Sequence, residues 1–256
     1  FFLYLFPIYL TLLEMKVLVL ISSFVIATLA EKVSHLHFEP IPGGVSGQAH
    51  TTHYWDCCKP SCAWKIDDTH ELKAVDSCAI DGVTVVDDNQ QSGCADEGGN
   101  AYTCNAQQPF IINSTLAYGF TAASFGGGID NSKCCRCVLM SFQGQLQGKQ
   151  YLAQITNTGD DLTGNHFDIQ IPGGGVGEFT LGCQRQWNAP ADGWGIRYGG
   201  VQSEAECAEL PEPLREGCRF RWTFLDGVEN PSVDFVQVQC PSELSALTNC
   251  IPDSDS

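Results

Sequence analysis

Fourteen cysteines among 256 residues constrain the fold of this chain more than any other feature. Cysteine at this density is typical of a disulfide-rich secreted domain or of a metal-binding domain, and the redox compartment decides between them. Adjacent pairs such as Cys57-Cys58 and Cys134-Cys135, together with widely separated single cysteines, do not form the paired C-x-x-C knuckles of a structural zinc site. The even number allows complete pairing into disulfides, provided that the chain is secreted.

The N-terminal region carries the pattern of a secretory signal. Lys16 precedes residues 17–30, an uncharged apolar run that ends in small residues. A run of this length is too short to cross a bilayer as a helix. We therefore predict a signal peptide at residues 15–30, preceded by an upstream segment of uncertain status at residues 1–14. The alternative, one signal anchor that joins both apolar runs, is disfavoured by the charges of Glu14 and Lys16.

The rest of the chain is interpreted as a single domain. The mature chain is expected to begin near Glu31 with an irregular Pro- and Gly-rich arm at residues 31–50, followed by one domain at 51–250 and a tail at 251–256. Secretion favours seven disulfides and no metal site. Acidic residues number 30 against 13 basic ones, a net charge of −17. This balance argues against nucleic acid, or an anionic membrane after signal removal, as a partner.

Short strands dominate the predicted secondary structure. Apolar or alternating runs predict strands at residues 137–142, 151–156, 166–171, 219–224 and 233–238. Short helices are predicted at residues 203–209 and 242–247. Because Gly-rich turns separate these segments, the sequence predicts a mostly β fold, a compact β-barrel rather than a doubly wound sheet.

A first candidate for acid–base chemistry is Asp56, which stands between Trp55 and the adjacent pair Cys57-Cys58. If the two cysteines are bridged to different parts of the chain, Asp56 is held rigidly beside aromatic rings. Such rings stack on the apolar faces of pyranoses, and a fixed carboxylate can activate water or protonate a leaving oxygen. The alternative is an ordinary surface-turn aspartate in a disulfide knot.

A second candidate is Asp168, in the predicted strand at residues 166–171. Strand alternation places it on the same face as His166 and Gln170. Partial desolvation there would raise its pKa and suit it to general-acid catalysis. The alternative is a buried strand aspartate satisfied by backbone donors. The adjoining loop supplies two further carboxylates, Asp160 and Asp161.

Other common hydrolase motifs are missing from the sequence. There is no Gly-x-Ser-x-Gly elbow and no His-Glu-x-x-His zinc motif. Complete disulfide pairing would leave no cysteine nucleophile. The glycine run at residues 173–175 lacks the Lys-Ser/Thr of a phosphate-binding loop.

Two segments resemble the signatures of glycoside hydrolase family 45 endoglucanases: residues 52–64, around Asp56, and residues 157–177, around Asp168. The resemblance extends over essentially all of residues 50–250. It implies a secreted endo-β-1,4-glucanase with a six-stranded double-psi β-barrel, long disulfide-linked loops and a few short helices. It also implies hydrolysis with inversion and no cofactor.

The resemblance assigns roles to matching residues. Asp56 would be the general base, Asp168 the general acid and Asp161 an accessory acidic group in a flexible loop. Substrate-binding positions would be Tyr54, Trp64, His166, Thr52 and Ala122. The family usually has Arg where this chain has His53. Arg is permanently charged whereas His titrates near neutrality, so His53 would lower activity or move the pH optimum if this position fixes the base or the cleft wall.

The resemblance also implies a disulfide pattern that spacing alone does not select: Cys57–Cys183, Cys58–Cys94, Cys62–Cys134, Cys78–Cys104, Cys135–Cys250, Cys137–Cys240 and Cys207–Cys218.

The expected partner is a β-1,4-glucan polysaccharide, bound outside the cell by a monomer. Xyloglucan or mixed-linkage glucan is an alternative substrate, and a non-hydrolytic, expansin-like wall protein is an alternative from another class. Expansin-like chains resemble the second signature but usually lack the first aspartate, which this chain has as Asp56. A glycosylation sequon is present at Asn113.

Overall fold

The computed structural model describes residues 38–65, 73–159 and 161–252. The chain divides into two units, Phe1–Phe38 and Glu39–Ser256. The predicted upstream segment and signal peptide lie outside the described residues. Within the described ranges, no helix has the length and apolar character needed to cross a membrane.

The second unit is mostly β. In its described part the strands are β1 (Ser46–Tyr54), β2 (Ser77–Cys78), β3 (Val85–Val86), β4 (Phe110–Asn113), β5 (Leu116–Ser124), β6 (Cys137–Phe142), β7 (Gln150–Asn157), β8 (His166–Gln170) and β9 (Val233–Val238). Its short α-helices are α1 (Leu181–Trp187), α2 (Arg215–Thr223) and α3 (Ser242–Thr248). Short 3₁₀ helices occupy Ser61–Ala63, Asn131–Lys133, Gly144–Leu146, Glu204–Glu209 and Glu212–Leu214.

Six strands close into a barrel in the order β5-β7-β6-β9-β1-β8, because β8 pairs back with β5. The pairs β1–β8 and β5–β7 are parallel, and the other four are antiparallel. Closure leaves no unpaired edge among these six strands. The barrel confirms the predicted mostly β fold.

One pleat face of several strands builds the core. Alternate residues of β6, β7 and β8 are buried in a single apolar cluster: Val138, Met140 and Phe142; Tyr151, Ala153 and Ile155; Phe167 and Ile169. Phe220 of α2 and Phe224, directly after that helix, belong to the same cluster. Burial of this apolar surface is the main force that holds the barrel together.

The strand predicted at residues 219–224 is wrong, because these residues lie mostly in helix α2. Phe220 and Phe224 are four residues apart, so a helix places them on one face, where their rings stack with centroids 5.2 Å apart. Alternating aromatic residues fit a strand equally well in sequence. The Cys207–Cys218 disulfide links this helix to the 3₁₀ helix Glu204–Glu209.

The arm predicted at residues 31–50 is also partly regular. β1 begins at Ser46, because Ser46–Ala49 pair in antiparallel register with β9. Such a partner lies almost 200 residues away along the chain, so local composition does not reveal it. The remaining predicted strands and both predicted helical segments are confirmed.

The seven disulfides follow the pattern that the family resemblance implied, and all fourteen cysteines are paired. Two of them, Cys57–Cys183 and Cys58–Cys94, hold adjacent residues to different parts of the chain. The segment just after β1 is therefore linked covalently to two other parts of the chain.

Candidate active site

A cleft with a volume of about 490 Å³ lies at the end of β1. Its lining includes the aromatic residues Tyr54, Trp64 and Phe179, the carboxylates Asp56, Asp161 and Asp168, and the small residue Ala122. A cavity of similar volume lies beside β2 and β3, but Asp87 is the one carboxylate among its lining residues. Only the first of these two cavities brings a pair of candidate acid–base residues together.

Asp168 sits in the middle of three neighbouring strands. It is opposite Thr52 in the parallel pair β1–β8 and opposite Ala122 in the antiparallel pair β5–β8. Thr52 Oγ1 donates a hydrogen bond to Asp168 Oδ1 at 2.6 Å. The side chain of Ala122 adds little bulk beside the carboxyl group, which lines the cleft.

Burial gives Asp168 the character of a neutral acid. Desolvation raises its pKa to about 7, against the lowering effect of the Thr52 hydrogen bond, and the negative charges of Asp161 and Asp56 raise it further. A carboxyl group removed from water and placed near like charges retains its proton. The expected desolvation is therefore present, and Asp168 can hold a proton near neutral pH.

His166 lies behind Asp168 rather than in the cleft lining. Its Nε2 atom is 2.9 Å from Thr52 Oγ1, whose own proton is directed at Asp168. Burial lowers the pKa of His166, which favours the neutral imidazole. A neutral ring that carries its proton on Nε2 donates to Thr52, so the three side chains form one directed chain of hydrogen bonds.

Asp56 follows β1 in a rigid turn. Its Oδ1 atom accepts a hydrogen bond from the Cys58 backbone N–H at 2.9 Å, and Cys57 adopts a left-handed φ of 63°. The Trp55 N–H donates to the Gly175 carbonyl at 2.7 Å. On the helix side, a Cβ at Gly182 would collide with the Asp56 carbonyl oxygen, so α1 approaches this closely only with glycine there.

The pKa of Asp56 is also raised, to about 6, because of burial, although the Cys58 N–H lowers it. Asp56 accepts its hydrogen bond from a backbone N–H, whereas Asp168 accepts from the Thr52 hydroxyl group. Each bond stabilises the ionised form of its carboxyl group and opposes the effect of burial. The two carboxyl groups thus titrate in the same cleft with Asp168 as the weaker acid.

Aromatic side chains line part of the cleft. Asn157 Nδ2 donates to the Tyr54 hydroxyl at 3.0 Å. Burial raises the pKa of Tyr54 well above its ordinary value, so the ring stays a neutral phenol. Trp64 is 36% exposed, which leaves a face of the indole available for stacking.

Sequence reasoning assigned no role to Lys59, which packs against one face of the Trp64 ring. Its Nζ atom lies 3.4 Å from the centroid of the Trp64 ring, a close cation–π contact. The same atom donates to the carbonyls of Asp88 and Gln90 at 2.6 and 2.9 Å. These partners are about thirty residues away, so nothing in the local sequence indicated the role.

His53 does not contact either buried aspartate. It points to the opposite side of β1 from Thr52 and Tyr54, where its ring meets the Gly174 carbonyl and Glu229. Asp161 lines the cleft and contributes negative charge near Asp168. Asp160 lies outside the described residues. Within the described ranges, no cluster of three or more His, Cys, Asp or Glu side chains could hold a metal ion.

The arrangement can support acid–base chemistry on a ligand that spans the cleft. A protonated carboxyl group and an ionisable one face the same open space, beside exposed aromatic surface. A proton donor and a proton acceptor at fixed positions are what general acid–base catalysis requires.

Comparison with known proteins identifies a family. Residues 47–251 match the model of glycosyl hydrolase family 45. An endoglucanase from Phaedon cochleariae is 56% identical over 212 residues, which cover 82% of this chain and 87% of that protein. An endoglucanase from Cryptopygus antarcticus is 49% identical over 210 residues, covering 82% and 91%. The crystal structure of a cellulase from that Antarctic springtail superposes with a TM-score of 0.76 at 48% identity, covering 82% of this chain and 99% of that one.

Proposed function

Since this chain belongs to glycosyl hydrolase family 45, we propose that it is a secreted endo-β-1,4-glucanase that cleaves internal bonds of its polymer with inversion. The observation that carries the proposal is the pair of buried carboxyl groups, Asp56 and Asp168, in one open cleft beside exposed aromatic rings. The similarity to two endoglucanases over most of their length supports the substrate class.

In the proposed mechanism Asp168 is the general acid. Thr52 occupies its Oδ1 atom, so the proton of the acid form is assigned to Oδ2. That proton passes to the glycosidic oxygen as the bond to the anomeric carbon breaks. The negative charge of Asp161 raises the pKa of Asp168 and is its accessory contribution.

Asp56 is the general base. Its ionised carboxylate removes a proton from a water molecule, which attacks the anomeric carbon from the face opposite the leaving oxygen. Inversion needs room for this water, so we expect the two carboxyl groups to be roughly 6.5–9.5 Å apart in the complex with substrate. The disulfides of Cys57 and Cys58, the two residues directly after Asp56, hold it in place.

Tyr54, Trp64 and Ala122 would form the substrate-binding surface. Tyr54 would lie under the sugar ring at the cleavage point, and Trp64 would stack on another glucosyl unit. Thr52 and His166 would act through Asp168, since they reach it by hydrogen bonds and do not line the cleft. No cofactor enters this mechanism, and we propose that the enzyme acts as a monomer.

The function is tested by measuring viscosity and new reducing ends together, on carboxymethylcellulose and on xyloglucan. An endoglucanase lowers viscosity quickly while it creates few ends. The same behaviour on xyloglucan alone would keep the mechanism and replace the substrate. Binding to either polymer without new ends would contradict hydrolysis and favour a non-hydrolytic wall protein.

The two raised pKa values predict a narrow pH profile. Asp56 must be ionised, so the rate should fall as pH drops below about 6, and Asp168 must be protonated, so it should fall above about 7. We expect a maximum between these values and roughly five- to tenfold lower kcat/KM at pH 5 and pH 8. Initial rates on a soluble cello-oligosaccharide from pH 4 to pH 9 measure it.

The variant Asp161→Asn tests the alkaline limb of this profile. Loss of its negative charge should lower the pKa of Asp168, so the alkaline limb should move to lower pH while the acidic limb stays. An alkaline limb that is identical in both proteins would remove Asp161 from its accessory role.

Secretion, part of the same proposal, has a further expected consequence at Asn113. Seven disulfides require an oxidising compartment, and the sequon lies at the turn between β4 and β5, with Ser114 and Thr115 exposed. Expression through a eukaryotic secretory pathway should therefore add one N-glycan, removable by endoglycosidase and absent in Asn113→Gln. Mass spectrometry measures the shift; unmodified secreted protein would contradict the expectation.

A further inference from the structure

The face of β1 opposite to Thr52 and Tyr54 carries a partly buried ionic network that the mechanism above does not use. His53 lies on this face, with a side chain that is 6% exposed. Its Nδ1 atom is 2.9 Å from the Gly174 carbonyl oxygen, and its Nε2 atom is 3.1 Å from Glu229 Oε2. The other oxygen of Glu229 accepts a hydrogen bond from Arg221, which is almost fully buried.

Both ring nitrogens of His53 therefore face groups that can only accept. A backbone carbonyl has no proton to offer, and neither has an ionised carboxylate. Burial alone would raise the pKa of Glu229, but hydrogen bonds from His53 and Arg221 outweigh it, so the pKa lies below its usual value and Glu229 stays charged. Only the doubly protonated imidazolium can satisfy both contacts at once.

Backbone hydrogen bonds connect this network to the active site. The glycine loop, residues 173–175, receives the His53 contact at its centre. On one side the Gly175 carbonyl accepts from Trp55, the residue directly before Asp56. On the other side the Gly173 carbonyl accepts from the Val201 N–H, and Arg221 donates to the Val201 carbonyl at 2.7 Å.

The fit of the glycine loop is too close for independent movement. A Cβ at Gly174 would lie 2.9 Å from the Tyr54 backbone nitrogen and 3.1 Å from His53 Nδ1. Beyond Gly175 the chain continues into Val176 and Phe179, which line the cleft. Gly174 is thus linked by short contacts both to the segment that carries Asp56 and to the cleft wall.

We propose that His53, Glu229 and Arg221 form a proton-dependent brace that positions the glycine loop, and through it Asp56, for the hydrolysis proposed above. His53 is a positioning residue, because it touches neither of the reacting carboxyl groups. The brace is complete when His53 carries both ring protons. Loss of either proton breaks either the Gly174 or the Glu229 contact, because a bare ring nitrogen cannot donate to an acceptor.

The groups around His53 come from four parts of the chain. Glu229 and Arg221 are the charged ones, from the segment before β9 and from α2. The Gly174 carbonyl lies in the segment after β8, and the β8 residue in register with His53 is the apolar Ile169. Among the described residues, Glu229 is the charged group that pairs with the imidazole ring.

The test compares two variants that remove the proton dependence by different means. In His53→Arg a guanidinium donates to both acceptors at every working pH. In Glu229→Gln the amide can donate to Nε2 of a neutral imidazole, which keeps its Nδ1 proton for Gly174. Arg219→Ala, on the same helix as Arg221, removes an exposed pair with Glu216 and is the matched control.

We expect the ratio of variant to wild-type kcat on a soluble cello-oligosaccharide to rise about two- to fivefold between pH 6 and pH 8.5 in both variants. In the control the ratio should be constant. The alkaline limb of Asp168 is common to all four proteins and cancels in the ratio. A constant ratio in both variants, with melting temperatures that show folded protein, would overturn the brace.

A second readout separates this proposal from the proposed function. The backbone amide resonance of Gly174 should shift between pH 6 and pH 8.5 in the wild type, and this shift should be lost or much smaller in His53→Arg. If the wild type cleaves no glucan, the hydrolytic function fails, and the amide titration still decides the brace. Titration curves that coincide in the two proteins would reject it.

Discussion

Replacing Asp168 with asparagine should reduce kcat on glucan polymers about 10³-fold, since general-acid catalysis contributes roughly that much. Asparagine can still accept the Thr52 hydrogen bond, so the local structure should persist. An activated aryl cello-oligoside needs no protonation of its leaving group, and its cleavage should fall far less. Polymer and aryl-glycoside assays on the same preparation measure the two effects.

The same variant should be more stable than the wild type at alkaline pH. The pKa of Asp168 is raised from its ordinary value of 3.8 to about 7, so the folded state binds this proton more tightly than the unfolded state. The stabilisation is complete below pH 4 and is lost as pH rises through 7. Asparagine has no proton to lose, so its melting temperature should exceed that of the wild type at pH 8. If the Asp168→Asn variant cleaves polymer at a near-normal rate, Asp168 is not the general acid.

Replacing Asp56 with asparagine should lower kcat by a similar factor of about 10³ on polymer and on the activated aryl substrate alike. Both reactions need the attacking water to be deprotonated, whatever the leaving group. The amide oxygen can still accept the Cys58 N–H, so the disulfide-bound turn should remain. The contrast with Asp168, which should spare the aryl substrate, distinguishes base from acid.

Asp87→Asn is the matched control for both substitutions, because Asp87 lines the other cavity and none of the cleft. It should leave kcat and KM within about twofold of the wild type. Retention of aryl-glycoside cleavage in Asp56→Asn would contradict its assignment as base and would exchange the two roles.

Much of the barrel was predictable because strands leave a local signal. The alternation at residues 166–171 and the short apolar run at 137–142 each predict a strand, and both are barrel strands. The run at 219–224 shows the limit of that method. Its aromatic spacing satisfies a period of two and also the i, i+4 spacing of a helix, and packing against Tyr151 selects the helix.

The two aspartates were predictable from their surroundings in sequence, but their supporting contacts were not. Asp168 depends on Thr52, which is 116 residues earlier and reaches it only through the parallel register of β1 and β8. Lys59 and Glu229 likewise act on Trp64 and His53 through the tertiary fold. Such contacts carry no periodic signature, since their partners are set by barrel closure.

The disulfides also determine whether a single proteolytic cut can separate the chain into two molecules. The Cys57–Cys183 bridge spans a separation of 126 residues and the Cys135–Cys250 bridge one of 115, and the two spans overlap. Every peptide bond between Cys57 and Cys250 therefore lies inside at least one covalent loop. A single proteolytic cut anywhere in this range leaves both pieces in one molecule, with Asp56 and Asp168 still joined. A single nick therefore cannot separate the two carboxyl groups of the proposed catalytic pair.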